Sequence, residues 1–304
     1  MFTLEQLQAG IVIPVDKPRQ WTSFQAVNKI KAVVKNIVRS EKLGVSSSTS
    51  TPHSSLPTPN YKIKVGHAGT LDPLATGLLL VCVGKATKSI PQLQDGDKVY
   101  TGTIVFGATT PCYDLERPVD RYYPYEHITR ELVEETSRRF TGTILQVPPM
   151  FSAVKVAGQR AYEYARTDDP SVTIQPKPVT VYSFEITDFR EGVQGSATER
   201  KVVQDDSFGQ QYCPGTPQHS LALPSTTHLY KHPLGEVPPH LPQADFRIKC
   251  GKGTYIRSLA RDLGEALGSG AFLSSLRREQ IGTYNVADAI SPDQAEGLFS
   301  LVNK

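Results

Sequence analysis

The chain is poor in residues and segments that mark particular protein classes. Its 304 residues include four cysteines, two methionines and one tryptophan. Cys82, Cys112, Cys213 and Cys250 form no close pair, which argues against a zinc site and favours reduced thiols. No apolar run approaches the length of a membrane span, and no basic-then-apolar leader opens the chain. These absences predict a cytoplasmic protein with no membrane contact and no bound metal.

The sequence also lacks a strong excess of charge of either sign. Lysine and arginine number 33 and aspartate and glutamate 30, for a net charge of +3. The isoelectric point of about 8.5 permits an anionic partner without requiring one. The length suffices for one large or two modest domains. Any basic surface should therefore be localised.

Helical and strand periodicities both occur along the chain. Apolar residues at helical spacing predict helices over residues 24–38, 128–140 and about 259–268, the first of them starting at Phe24 after an N-cap at Thr22 or Ser23. Strands are predicted over residues 11–18, 61–65, 78–83, 98–107, 178–186 and 244–250. This mixture predicts an α+β fold with a mixed, mainly antiparallel sheet, flanking helices and a central cleft.

Two stretches lack any periodicity. Residues 40–60 are rich in serine, threonine and proline, and residues 190–243 in glycine, proline, serine, threonine and glutamine. Such segments bury too little apolar surface to offset the entropy of ordering. Both are predicted to be flexible insertions in a single domain that covers residues 1–304.

One polar, turn-rich segment stands between apolar runs. Residues 66–77 read Gly-His-Ala-Gly-Thr-Leu-Asp-Pro-Leu-Ala-Thr-Gly and place Asp72 in a turn ahead of a buried strand. Loops of this kind commonly hold functional side chains. Aspartate is equally common as a cap of a turn or helix, so local chemistry alone leaves both interpretations open.

Residues 66–77 closely resemble the catalytic motif of the TruB family of tRNA pseudouridine synthases. Four other segments resemble the same family: Asp-Lys-Pro at residues 16–18, residues 141–166, residues 251–259 and residues 275–278. Gln20 stands where the family often has glycine. The match covers the chain apart from the two insertions and both ends, and it implies a pseudouridine synthase fold without a complete C-terminal PUA domain.

The resemblance assigns three residues to catalysis. Asp72 corresponds to the essential aspartate, Arg257 to the arginine that pairs with it, and Tyr100 to the tyrosine that stacks on the uracil and assists deprotonation at C5. A nearby guanidinium lowers the pKa of a carboxyl group and so keeps it ionised. Whether the aspartate attacks the ring, attacks C1′ or removes a sugar proton stays open.

The resemblance also assigns residues to the substrate. His67 is implied to pack near the flipped base, Tyr255 and Leu276 to line an apolar pocket, and Lys17 to lie near the substrate or brace the site. Lys155, Arg160 and Tyr164 fall in the segment implied to hold the RNA. Mixed basic and aromatic side chains suit phosphates and bases, although an amphipathic hairpin with solvated charges would look the same.

These implications converge on one activity and one substrate. The expected enzyme is a cofactor-free isomerase that flips uridine 55 from the TΨC arm of tRNA and converts it to pseudouridine. It is expected to act as a monomer without a protein partner. The alternative is a tRNA-binding protein or tRNA-folding chaperone without catalytic activity, and a second rival is an aspartate-dependent hydrolase of small substrates.

Overall fold

The chain folds into two compact units. The computed structural model describes residues 3–44, 63–152, 154–156, 158–165, 173–192 and 234–297. Unit 1 comprises residues 1–100 and 277–304, and unit 2 comprises residues 101–276. Within the described ranges, no helix has both the length and the apolar character that a membrane span requires.

The secondary structure is mixed, as the sequence predicted. The helices are α1 Leu4–Ala9, α2 Ser23–Gly44, α3 Ile90–Asp95, α4 Arg130–Arg138, α5 Ala161–Ala165, α6 Ile256–Ala266 and α7 Gln294–Gly297. The strands are β1 Ile11–Lys17, β2 Val65–Ala68, β3 Thr76–Val83, β4 Lys98–Phe106, β5 Ala108–Thr109, β6 Arg121–Tyr122, β7 Gly142–Gln146, β8 Lys155–Val156, β9 Gln159–Arg160, β10 Lys177–Arg190, β11 Gln243–Cys250, β12 Ala271–Ile281 and β13 Tyr284–Asn285.

Strand β3 is the centre of unit 1. Strands β1 and β2 both pair with it antiparallel, whereas the end of β12 pairs with it in parallel at Arg277 and Arg278. Strand β13 folds back antiparallel onto β12. The pairing is therefore mainly antiparallel, with one parallel contact beside the motif.

Both faces of β3 are buried, which explains its unbroken apolar sequence. Leu79, Val81 and Val83 pack in a cluster with helix α2, and Leu78 and Leu80 belong to a second cluster. All five side chains are fully buried. Because both faces are packed, the strand gives the preceding motif a rigid base.

Helix α2 confirms the predicted helix with two differences. It begins after Thr22, whose hydroxyl accepts from the amide of Gln25 while the Gln25 side chain accepts from the Thr22 amide, a reciprocal capping box. The helix continues to Gly44, past the predicted end at residue 38. Phe24 was predicted on the buried stripe, yet it is 68% exposed. At 100° per residue it lies about 120° around the helix from buried Ile30.

Unit 2 contains β4 from Thr101 onward, followed in sheet order by β11, β10 and β7. Strand β10 pairs antiparallel with both β11 and β7. Helix α6 buries most of its first two turns, and α4 begins at the N-cap Thr129. Two short hairpins, β5–β6 and β8–β9, also belong to this unit, as do α5 and the first part of β12.

The predicted insertions fall mostly outside the described residues. Residues 45–62 and 193–233 lie there, whereas residues 40–44 belong to α2. Strand β10 extends to Arg190 and β11 begins at Gln243. Between them, the amide of Gly235 donates to the carbonyl of Leu115, and Leu241 is 2% exposed. The described ends of the second predicted insertion are thus packed in unit 2.

Candidate active site

Asp72 lies in the short connection between β2 and β3. We call residues 69–75 the Asp72 loop. The sequence predicted a turn-rich segment over residues 66–77, but residues 65–68 form β2, paired with β3, and residues 76–77 begin β3. The turn is confined to the Asp72 loop, where the carbonyl of Asp72 accepts from the amide of Ala75 at 3.1 Å. The side chain of Asp72 is half-buried.

Gly77 permits the close approach of β12 to the end of this loop. Its φ of +98° lies in the left-handed region, and a Cβ atom there would stand 2.3 Å from the carbonyl oxygen of Arg278. Any larger residue would therefore separate the two strands. The glycine that ends the motif is required by packing.

Hydrogen bonds from the first residue of α2 and from the segment before it hold the Asp72 loop. The Ser23 hydroxyl accepts from the Leu71 amide at 2.9 Å and lies 3.1 Å from the Leu71 carbonyl, to which it donates. The Gln20 amide donates to the carbonyl of Pro73 at 2.9 Å. Gln20 has φ of +68°, so the position has a backbone that favours glycine. This conformation accounts for the glycine that the family often has here.

Lys17 binds the Asp72 loop through its buried ammonium group. It is 0% exposed, and its ammonium donates to the carbonyls of Trp21 at 2.6 Å, Pro18 at 2.9 Å and Pro73 at 3.2 Å. Burial lowers the pKa of Lys17 to about 8, against the opposing effect of the Asp72 carboxylate. All three donors face backbone oxygens, which favours a bracing role over direct contact with substrate.

Arg278 grips the same loop from the other side. It is 2% exposed, and its guanidinium donates to the carbonyls of Leu78 at 2.8 Å, Gly69 at 3.1 Å and Thr70 at 3.3 Å. The neighbouring Arg277 instead forms an ion pair with Asp16, with its closest contact at 2.8 Å. Sequence reasoning missed the role of Arg278, because a buried and an exposed arginine look alike in a sequence.

His67 and Tyr100 are the other predicted site residues of unit 1. His67 lies in β2 opposite Val81, and its Nδ1 atom is buried with no hydrogen-bond partner among the residues that the structure describes. Burial lowers the pKa of His67, so the ring is neutral at physiological pH. Tyr100 lies in β4 and is 9% exposed.

Arg257 is held rigidly in unit 2. It is 4% exposed, and its guanidinium donates to the carbonyls of Phe151 at 2.9 Å and Cys112 at 3.0 Å, while its Nε lies 3.7 Å from the Asp114 carboxylate. Tyr113, between the last two, has φ of +58°, so the turn that presents them is strained. The predicted pairing of Arg257 with Asp72 joins residues of different units and stays a prediction.

Gln146 fixes the start of α6 and with it Tyr255. Its amide oxygen accepts from the Tyr255 amide at 2.8 Å, and its amide nitrogen donates to the Tyr255 carbonyl at 3.1 Å. Gln146 is 1% exposed, whereas Tyr255 and Leu276 are half-buried. The Gln146 side chain thus serves as the hydrogen-bond partner of both backbone groups of Tyr255, the N-cap of the helix that contains Arg257.

The three predicted RNA-binding residues lie together in unit 2. Lys155 and Arg160 face each other across the β8–β9 hairpin, and both are exposed. The Tyr164 hydroxyl donates to the carbonyl of Val156 at 3.3 Å, which ties α5 to the hairpin. The structure therefore brings this cluster together with its charges at the surface.

Comparisons with known proteins test the family resemblance of the whole chain. The family model "TruB family pseudouridylate synthase (N terminal domain)" matches residues 58–204. A protein of Flavobacterium johnsoniae named tRNA pseudouridine synthase B is 42% identical over 288 residues, with 95% of each chain covered. The chain belongs to the TruB family. A namesake from Thermobifida fusca is 35% identical, over 96% of this chain and 76% of its own length.

Solved structures share the fold of this TruB-family chain. A Cbf5-Nop10-Gar1 complex superimposes with a TM-score of 0.52 at 23% identity, over 94% of this chain and 53% of the solved chain. An archaeal box H/ACA sRNP Nop10-Cbf5 complex gives 0.51 at 19% identity, over 96% and 54%. The chain thus spans about half the length of these solved chains, and the likeness confirms the predicted pseudouridine synthase fold.

Proposed function

We propose that the protein isomerises uridine 55 of the tRNA TΨC arm to pseudouridine. The observation that carries the proposal is the family membership together with an intact motif, in which Asp72 sits on a loop braced by buried cations. The reaction breaks the bond from N1 to C1′ and forms one from C5 to C1′. A proton leaves C5 and one is gained at N1, so the product is an isomer of the substrate.

The proposed roles follow from the chemistry of each group. Asp72 acts as the nucleophile or base at the ring or sugar, and Arg257 is the cation proposed to pair with it. Tyr100 stacks on the uracil and assists deprotonation at C5. Tyr255, Leu276 and neutral His67 supply the apolar surroundings that retain the detached base.

Recognition of the tRNA is proposed to use stem-loop shape and phosphates. Lys155 and Arg160 are exposed on one hairpin, where they suit the phosphates of an RNA stem-loop. Flipping the target base costs a few kcal/mol of unstacking, which these contacts offset. We further propose that the protein acts as a monomer in the cytoplasm.

Release of tritium tests the proposal directly. A TΨC stem-loop labelled at C5 of its uridines is incubated with the wild type and with Asp72→Asn. We expect stoichiometric release of one tritium per stem-loop by the wild type and none by Asp72→Asn. Both proteins should bind the stem-loop with similar affinity, since the substitution removes a charge without removing contacts to the RNA.

The substrate position has its own control. A stem-loop with cytidine in place of uridine 55, still labelled at its other uridines, should release nothing. Wild-type protein that binds intact tRNAs and releases no tritium from any of them would be a binding protein or chaperone instead. Release from the cytidine stem-loop would place the target at another uridine.

A further inference from the structure

Arg278 is among the largest fully buried side chains of the described residues, and its guanidinium donates to three backbone oxygens. These acceptors flank Asp72 on both sides: Gly69 and Thr70 precede it, and Leu78 follows in β3. One guanidinium thereby links the start of the Asp72 loop to the strand in which the loop ends.

The chemistry of the contact requires arginine. A guanidinium is planar and presents its N–H groups in a rigid fork, which reaches oxygens at different positions at once. In Arg278 a different nitrogen serves each carbonyl, whereas the donors of an ammonium all lie on one nitrogen and do not reproduce that arrangement. Any oxygen left behind would be a buried acceptor without a donor, a costly state that a loop relieves by moving.

The backbone leaves little freedom for compensation on the β12 side. Arg278 pairs with Gly77 in the parallel register, and the close approach there depends on the absence of a side chain at Gly77. The position of the guanidinium is therefore set by the sheet. The sheet in turn sets the position of the loop through that side chain.

We propose that Arg278 is a positioning residue that holds the Asp72 loop in its reactive shape. This inference rests on the proposed function of Asp72. It gives Arg278 a role in the rate of the chemical step, whereas the resemblance gave Arg277 and Arg278 no role beyond a motif match. A displacement of about 1 Å at a reacting group can slow a reaction by two orders of magnitude.

The test compares the same substitution at adjacent positions. Arg278→Lys and Arg277→Lys each retain a positive charge, but only Arg278 contacts the loop carbonyls, whereas Arg277 binds the side chains of Asp16 and Thr76. Single-turnover tritium release and stem-loop affinity are measured for the wild type and both variants. Thermal unfolding of each variant establishes that it is folded at the assay temperature.

The expected result is a split between rate and affinity. We expect Arg278→Lys to slow single turnover by about 10- to 100-fold with stem-loop affinity within about twofold, and Arg277→Lys to change neither by more than about twofold. Hydrogen exchange of the Leu71 and Ala75 amides should accelerate in Arg278→Lys alone. A folded Arg278→Lys variant that turns over at the wild-type rate would overturn the inference.

A second variant decides the matter if Arg278→Lys does not fold. Ser23→Ala removes a separate anchor of the Asp72 loop at Leu71 and leaves Arg278 in place. If Ser23→Ala slows single turnover at least about fivefold without loss of stem-loop affinity, the position of the Asp72 loop controls the rate. An unchanged rate overturns the inference. The proposed function fails separately, since the wild type would then release no tritium.

Discussion

The two units hold their predicted catalytic side chains in opposite ways. In unit 1 the side chain of Asp72 is half-buried, and its loop is held by Lys17 and Arg278 through backbone oxygens. In unit 2 the charged group of Arg257 is itself buried and is gripped directly by carbonyls and by Asp114. One unit positions a loop, and the other positions a side chain.

This difference separates two kinds of consequence. Removing a support of the Asp72 loop keeps the carboxylate but changes its orientation. The rate of turnover should therefore fall more than the free energy of unfolding. Removing Arg257 leaves a buried carboxylate without its cation, so stability should suffer directly. The comparison therefore predicts which variants lose turnover and which lose the fold.

The largest expected effect is on stability, in unit 2. Arg257→Met should lower the free energy of unfolding by about 3–5 kcal/mol, because Asp114 and two carbonyls lose their buried partner. Urea denaturation measures the loss. In the double variant Arg257→Met with Asp114→Asn, the unpaired carboxylate charge is also removed. Its loss of unfolding free energy should be smaller than the sum of the two single losses by about 0.5–3 kcal/mol.

An exposed arginine of the same unit provides the control. Arg130 pairs with Glu134 on the surface of α4, and Arg130→Met should leave the midpoint of urea unfolding close to that of the wild type. If Arg257→Met destabilises the protein no more than Arg130→Met does, then the stability of unit 2 does not depend on the contacts of the Arg257 guanidinium. The two units would then not differ in the way described above.

The next effect is on rate, in unit 1, and depends on pH. Burial lowers the pKa of Lys17 to about 8. The Asp72 carboxylate opposes this shift, the Arg278 guanidinium adds to it, and the Asp16 carboxylate makes a smaller opposing contribution. A neutral amine has two N–H groups for three carbonyls, so one oxygen would face a lone pair. Single turnover by the wild type should fall as the pH rises through about 8.

Stability should move in the other direction in the same window. Below pH 8 the folded and unfolded chains both bind the proton of Lys17, and the fold bears the cost of the buried ammonium. Between pH 8 and the ordinary lysine pKa of 10.5, the unfolded chain keeps the proton of Lys17 and the folded chain loses it. The contribution of Lys17 to the free energy of unfolding therefore rises with pH in this window. Inactivation above pH 8 would then not reflect unfolding.

Lys17→Met isolates these two effects. It should slow single turnover by about tenfold or more near neutral pH and remove the decline near pH 8. The excess unfolding free energy of the wild type over Lys17→Met should grow from pH 8 to pH 10. A decline near pH 8 that persists in Lys17→Met would assign it to another group.

The sequence predicted the frame of the fold better than its internal supports. The apolar run of residues 78–83 identified β3, because a strand packed on both faces needs apolar residues at every position. Phe24 was misplaced because spacings of three accumulate an angular drift, and the helix turns it away from the core.

Side chains that bind backbone oxygens escaped prediction for a different reason. Arg278 and Gln146 have ordinary surface residue types, and their burial depends on partners about 200 and 109 positions away. Only the fold brings those partners within reach. The resemblance singled out Asp72 and Arg257, but it could not show that a loop holds one and a buried cradle the other.

A smaller effect on stability is expected at Gln146 in unit 2. Gln146→Leu leaves the amide and carbonyl of Tyr255 without their partner, which should cost about 1–3 kcal/mol of unfolding free energy. The exposed Gln159 on β9 is the matched control, where the same change should stay within about 0.5 kcal/mol. Equal costs at both positions would mean that Gln146 does not secure α6.

The smallest effect returns to unit 1 and has the opposite sign. Gln20→Gly should raise the free energy of unfolding by roughly 0.5–1 kcal/mol, since relief of its left-handed backbone outweighs the entropy that glycine adds to the unfolded chain. Arg19→Gly, one residue earlier, offers no such relief and should destabilise. Because the Gln20 amide binds Pro73, a gain in stability at Gln20 without a change in turnover would show that this turn supports the Asp72 loop with either residue.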